Sequence, residues 1–244
     1  MPPKKKPASP KPVAKGTSGA KVQEVVASLE RLADKKTLHG MARYGLPSDK
    51  AFGVPVGKIQ KLAKQLGRSH ELAAALWETG GYEARMLAAY VDEPERVTPQ
   101  QMEQWCAEFD NWGIVDTVCF VLFDRSPHAW SKVGPWSKRK DEFGKRAGFV
   151  LLACLAAHDK QAGDEAFAKC LPLVERGAED ERNFVKKGVS WALRMVGRRS
   201  RKLNEAAVKV SRRLAESPND AARWVGRAAL KELTSPAVTK RLKG

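Results

Sequence analysis

An all-α fold, a HEAT-like solenoid of stacked helix pairs with a concave basic groove, is what this sequence predicts, and three observations carry the prediction. Apolar residues recur at helical spacing from Val22 to the C-terminal region, and no run alternates convincingly as a strand. Short breaks rich in Pro, Gly, Ser and Asn divide that pattern into segments of helix length. A basic position followed by small and apolar residues returns at Arg146, Lys187 and Arg227, at intervals of 41 and 40 residues. That interval is the period of HEAT and armadillo helix pairs, roughly 40–47 residues. Arg85 in Glu83-Ala84-Arg85-Met86-Leu87 has the look of an earlier copy.

Residues 1–20 hold Lys4, Lys5 and Lys6 followed by Pro-, Ala-, Ser- and Gly-rich stretches, a composition that cannot form a core, and are expected to be a disordered basic tail. One repeat domain is expected over 21–244. Its helices are expected at about 20–38, 55–67, 69–79, 82–92, 98–108, 111–123, 126–136, 140–158, 164–176, 181–199, 202–216 and 219–234. Pro94 with Thr98-Pro99, Ser126-Pro127, Gly163-Asp164, Ser217-Pro218-Asn219 and Ser235-Pro236 read as the caps and turns between them. The β-like patch at Phe52–Val56 is too short and too broken by Gly and Pro to be a strand.

Lys and Arg number 44 against 28 Asp and Glu, a formal charge of +16. The first 21 residues carry +6 of it, so residues 22–244 are basic in their own right at +10. Such a balance points to a polyanionic partner. The longest uncharged apolar run, Ala147–Ala157, is about half the ~20 residues a membrane span needs, and the N-terminus lacks the apolar core of a signal peptide. A soluble, intracellular protein is therefore expected, with nucleic acid preferred over a membrane. Cys106, Cys119, Cys154 and Cys170 are scattered among apolar neighbours and read as reduced core thiols; the four histidines are equally dispersed, so no metal and no cofactor are expected.

The chemistry concentrates at Asp110-Asn111-Trp112-Gly113-Ile114-Val115-Asp116. With Asp110 or Asn111 as N-cap, the following helix is apolar almost all round and must lie between other helices. Asp116 is the exception, costly there unless something pairs with it or uses it, and Trp112 projects from the same face one turn earlier. In the helix over 181–199, Val185, Val189, Ala192 and Val196 form a buried stripe. Lys187, Trp191, Arg194 and Arg198 recur on the opposite side, a basic stripe with an interleaved aromatic suited to nucleic acid. Periodicity leaves open that Trp191 simply fills a gap between repeats. Arg146 stands before a long apolar run, where its guanidinium either pairs a carboxylate, Asp116 being available, or holds a phosphate. Arg223, Arg227 and Lys231 form a further stripe that is either a set of phosphate contacts or a solvated surface. Trp77, Trp105, Trp130, Trp136 and Trp224 are assigned to packing.

Asp-Asn-Trp-x-x-Val-Asp at 110–116, Lys-Arg at 145–146 and Lys-Lys-Gly-Val-Ser-Trp-Ala-Leu-Arg at 186–194 resemble the AlkD-like DNA alkylation repair glycosylases, as do Met41-Ala42-Arg43-Tyr44 and Phe52-Gly53-Val54-Pro55 with Lys58. The resemblance runs from about residue 22 to the C-terminus. It implies a HEAT-like solenoid that hydrolyses the N-glycosidic bond of N3- or N7-alkylated purines in double-stranded DNA. By position it makes Asp116 the catalytic carboxylate, Trp112 and Trp191 the aromatic pair at the lesion, Arg146 a nearby phosphate contact and Tyr44 an N-terminal site residue; Lys187, Arg194 and Arg198 are expected as further DNA contacts from their spacing on the basic stripe. It implies a monomer without a cofactor, in the cytoplasm at the nucleoid of a bacterium or in the nucleus of a eukaryote. Gly113 and Ser190, beside the two tryptophans, depart from the family pattern. Two other readings of such a solenoid are a noncatalytic binder of DNA structures and a protein-binding adapter. The pairing of Asp116 with Trp112 counts against the first, and the cationic face against the second.

Overall fold

The computed structural model describes residues 15–46 and 48–242, and all regular structure among them is helical. The segment expected as one helix over 20–38 is two, α1 (Lys15–Arg31) and α2 (Lys35–Met41). Asp34 leaves the helical conformation between them and accepts a hydrogen bond from the Thr37 amide at 2.6 Å, so it caps the second helix. Because α1 begins at Lys15, positions 15–20 of the expected tail are helical; its first fourteen residues lie outside the described ones.

The helices that follow have the expected bounds to within two residues: α3 (Val56–Leu66), α4 (His70–Glu78), α5 (Tyr82–Val91), α6 (Pro99–Ala107) and α7 (Trp112–Val121). Their starts are fixed by side chains that take up free amides, Ser69 for Leu72, Thr98 for Gln101 and Asn111 for Ile114. After a 3-10 turn at Phe123–Arg125, α8 (Ala129–Trp136) starts three residues late, and α9 (Glu142–His158) is capped by Asp141. The segment expected at 164–176 divides into α10 (Asp164–Ala168) and α11 (Leu171–Gly177). Pro172 has no N–H to offer the Ala168 carbonyl, so one continuous helix cannot cross that point intact. Then come α12 (Asn183–Gly197), α13 (Arg201–Ala215), α14 (Asp220–Leu233) and a short α15 (Pro236–Thr239), which periodicity did not announce.

Helices pack in successive pairs, α4 with α5, α8 with α9, α11 with α12 and α13 with α14, and the second members form a continuous layer in which α5, α7, α9, α12 and α14 each pack on the next. This is a HEAT-like helical solenoid. The core runs through that layer: from Ala147 to Ala156 every residue of α9 is buried. Glycine lets two pairs close tightly. A Cβ on Gly148 would lie 2.4 Å from the Ser137 amide at the end of α8, and one on Gly226 would lie 2.3 Å from the Ala215 amide at the end of α13. On the other side of the core Trp77 and Trp105 stack with ring centroids 3.9 Å apart, and Trp136 is equally buried. The four cysteines are free and buried, and burial pushes the Cys106 thiol up to about 12. No described helix is long and apolar enough to cross a membrane.

Candidate functional site

Asn111, not Asp110, caps α7: its Oδ1 accepts from the Ile114 amide at 3.0 Å, and its own Nδ2 donates to Asp110 at 2.7 Å. The cap fixes where Trp112 leaves the chain. Trp112 Nε1 then donates to the Tyr44 carbonyl at 2.7 Å, which ties the ring to the turn after α2. Gly113 has a steric reason. A Cβ there would come within 2.6 Å of the Tyr82 hydroxyl and 2.9 Å of a Leu46 methyl, so the departure at this position lets α7 seat against α5 and the N-terminal turn. Ser190, the other departure, is buried, and its carbonyl accepts from Arg194 Nε at 3.1 Å.

One turn beyond Trp112, Asp116 meets Arg146 of α9 through a fork of two hydrogen bonds, Nε to Oδ1 at 2.9 Å and Nη2 to Oδ2 at 2.8 Å. The third arm of the guanidinium, Nη1, donates to the Phe184 carbonyl at the start of α12, 2.6 Å away. Arg146 is 6% exposed, and every nitrogen of its guanidinium is engaged by the protein. Of its two possible roles, the carboxylate pair is the one formed; Nη1 and Nη2 each keep a second N–H beyond these bonds, and Arg146 lines the cavity described next. Burial raises the pKa of Asp116 above the ordinary carboxylate value, and the charge and hydrogen bonds of Arg146 oppose that rise. The arginine thus holds down the rise that burial alone would cause. Tyr82, buried nearby with Glu83 and Asp116 adding negative charge, has its hydroxyl pushed up to about 12 and stays a neutral phenol.

Asp116, Arg146 and Trp112 open onto one cavity of about 540 Å³. Arg43 and Tyr44 line its N-terminal side, Asn183 and Lys187 the α12 side. Tyr44 is 69% exposed and Lys187 is exposed, so both expected contacts face a ligand-sized space. Trp191 does not line it. It lies one turn past Lys187 on α12, half-buried against the core, close to the gap-filling reading. Arg194 is also drawn away, bonded to Glu232 at 2.7 Å, and Arg198 reaches the same carboxylate at 3.5 Å while remaining exposed. Of Trp112, Asp116, Arg146 and Trp191, the four expected to converge on one face, the first three line the cavity together with Tyr44 and Lys187, and Trp191 is not among its lining residues.

Arg43 and Asn183 are cavity residues that sequence reasoning missed. Arg43 sits inside the Met-Ala-Arg-Tyr stretch and could have been found there, whereas the Asn183-Phe184 turn carries no local signal. Lys145 and Arg146 diverge: Lys145 bonds to Asp180 at 2.8 Å, and Asp180, with Arg182 foremost, has its carboxyl held well below the usual range. Among the tryptophans assigned to packing, Trp224 is a correction. It is 43% exposed, because Val225 and Ala222, not Trp224, face the core from α14.

A helical-repeat protein with a buried carboxylate–arginine pair and a tryptophan at the mouth of a basic cavity is the class that fold and site define. Residues 25–233 match the family described as DNA alkylation repair enzyme, and the chain belongs to that family. It is 22% identical over 129 residues to an uncharacterized protein of Listeria innocua serovar 6a, a match covering 51% of this chain and 58% of that relative's length. Among solved structures, one described as a new family of proteins related to the HEAT-like repeat DNA glycosylases with affinity for branched DNA structures is similar with a TM-score of 0.72. That match covers 84% of this chain and 92% of the other at 20% identity, a likeness of fold.

Proposed function

We propose that this protein is a monofunctional DNA glycosylase that hydrolyses the N-glycosidic bond of purines alkylated at N3 or N7 in duplex DNA. The observation that carries the reading is the cavity in which Asp116 is fixed by two hydrogen bonds from Arg146, lined also by Trp112 and the exposed Lys187. Alkylation at N3 or N7 makes the purine a cation that departs as a neutral base, so little help from a general acid is needed. The sugar is what needs stabilising. As the bond lengthens the deoxyribose gains oxocarbenium character, and a preorganised carboxylate stabilises that charge or orients the attacking water. Arg146 donates one hydrogen bond to each Asp116 oxygen, and each oxygen has a further lone pair. Trp112, its ring held by the Tyr44 carbonyl, offers an electron-rich face to a cationic base or sugar. Arg43 and Lys187 suit the flanking phosphates.

A second reading has one observation in its favour. Arg146 neutralises Asp116, so the cavity is net positive and would hold DNA without cutting it, in keeping with the branched-DNA affinity described for the structural neighbour. The two are separated by incubating methylated duplex DNA with the wild type and with Asp116→Asn, then quantifying released 3-methyladenine and 7-methylguanine. We expect release by the wild type and a loss of at least about 100-fold in the variant, the scale of one preorganised electrostatic group. Tight binding with no release by the wild type would reject the glycosylase in favour of the binder, and equal release by both proteins would reject Asp116 as the catalytic group.

A further inference from the structure

Trp224 is the one exposed tryptophan among the described residues, and it lies on α14, next to the α12 side of the cavity. Lys187 lines the cavity, and its neighbour Lys186 places Nζ 5.1 Å from the centroid of the Trp224 ring on the next helix of the layer. Along α14 the exposed Arg227 and Lys231 flank the ring, and together they line a shallow depression of about 340 Å³. The acids nearby are already taken: Asp220 pairs with Arg223, and Glu232 with Arg194 and Arg198. Arg227 and Lys231 have no acidic partner among the described residues. A large ring left 43% exposed wastes apolar surface unless something covers it. The cover must tolerate cations on three sides.

We propose that Trp224 is a stacking platform for an unpaired nucleobase, with Lys186, Arg227 and Lys231 holding the phosphates on either side, so that duplex DNA running into a single strand is bound more tightly than uninterrupted duplex. This rests on the DNA-binding part of the function proposed above, and adds to it a strand-type preference located one repeat beyond the reaction cavity. Any base has a π-face, so the platform is indifferent to sequence, and the cations around it supply the salt-dependent attraction a single strand requires. Charge complementarity selects this occupant over an apolar or basic protein surface.

The test compares binding of two fluorescent DNAs, a blunt duplex and the same duplex with a six-nucleotide single-stranded extension, by wild type, Trp224→Ala and Trp224→Tyr. We expect the wild type to prefer the extended DNA by about fivefold or more, the factor a single stacked base supplies. Trp224→Ala brings the ratio of affinities close to one, and Trp224→Tyr keeps most of it. Arg227→Ala lowers the salt slope on the extended DNA by about 1. A wild type that binds the blunt duplex but gains nothing from the extension overturns this proposal alone. An unchanged ratio in Trp224→Ala does the same, and failure to bind either DNA overturns it together with the DNA reading of the cavity.

Discussion

Replacing Arg146 with methionine keeps the aliphatic bulk at the centre of the layer but removes three hydrogen bonds, two to Asp116 and one to the Phe184 carbonyl. Leaving a buried carboxylate without its cation costs ~3–5 kcal/mol. The Asp116 side chain keeps 22% of its surface exposed, so water recovers part of the loss and we expect a value near the lower end, about 3 kcal/mol. For a chain of this size that lowers Tm by about 6–12 °C. The sign with pH follows from Asp116. Its folded pKa lies above the unfolded value, so its contribution to stability is fully present below the unfolded pKa and lost as pH rises through the folded one. Without Arg146 the rise is larger, so Arg146→Met should lose more stability at about pH 7.5 than at about pH 4.5. Urea unfolding of Arg146→Met, Asp116→Asn and the double variant reads the coupling directly, because Asn at 116 removes the stranded charge and the double variant should lose clearly less than the two singles together. Single effects that add to within about 0.5 kcal/mol, or a loss independent of pH, would refute the claim that Arg146 offsets the cost of burying the Asp116 carboxylate.

Gly113→Ala forces a methyl group against the Tyr82 hydroxyl and Leu46 and should cost ~1–3 kcal/mol, partly relieved when Tyr82→Phe is added; a variant that melts like the wild type would mean that α7 does not seat as closely as described. Deleting residues 1–14 removes Lys4, Lys5, Lys6 and Lys11 ahead of α1, and should weaken DNA binding and make its dependence on salt shallower by up to ~3.6 in log–log slope. An unchanged slope in titrations from low to moderate salt would exclude those lysines as phosphate contacts.

Most of the helices were legible where a local device marks them. Ser69, Thr98, Asn111, Asp141, Ser200 and Asn219 each cap a helix through a hydrogen bond to an amide three residues on, a signal contained within four residues of sequence. The breaks at Asp34 and before Pro172 escaped because the apolar period runs through both, although the Asp34 cap and the missing N–H of Pro172 each mark the break locally. In the cavity, the Trp112 and Asp116 pairing could be read because the two lie one turn apart. The fate of the cations could not. Arg146 is 30 residues from Asp116, and Arg194 is 38 residues from Glu232, so the stripe that carries Lys187, Trp191, Arg194 and Arg198 looked uniform although Glu232 removes much of its freedom. Trp224 was misplaced for a similar reason: a tryptophan in an amphipathic helix defaults to the core, and only its neighbours on α14 show that Val225 faces inward instead.

Arg146 stands on α9, grips Asp116 on α7 and reaches the first turn of α12, so one side chain spans two consecutive joints of the solenoid. Stacked-repeat proteins accommodate strain by small rotations at such joints. Here any change in the pitch or curvature of the superhelix must lengthen one of the three bonds, or drag the carboxylate with it. The guanidinium therefore acts as a crossbar that ties the position of the Asp116 carboxylate to the bending of the scaffold.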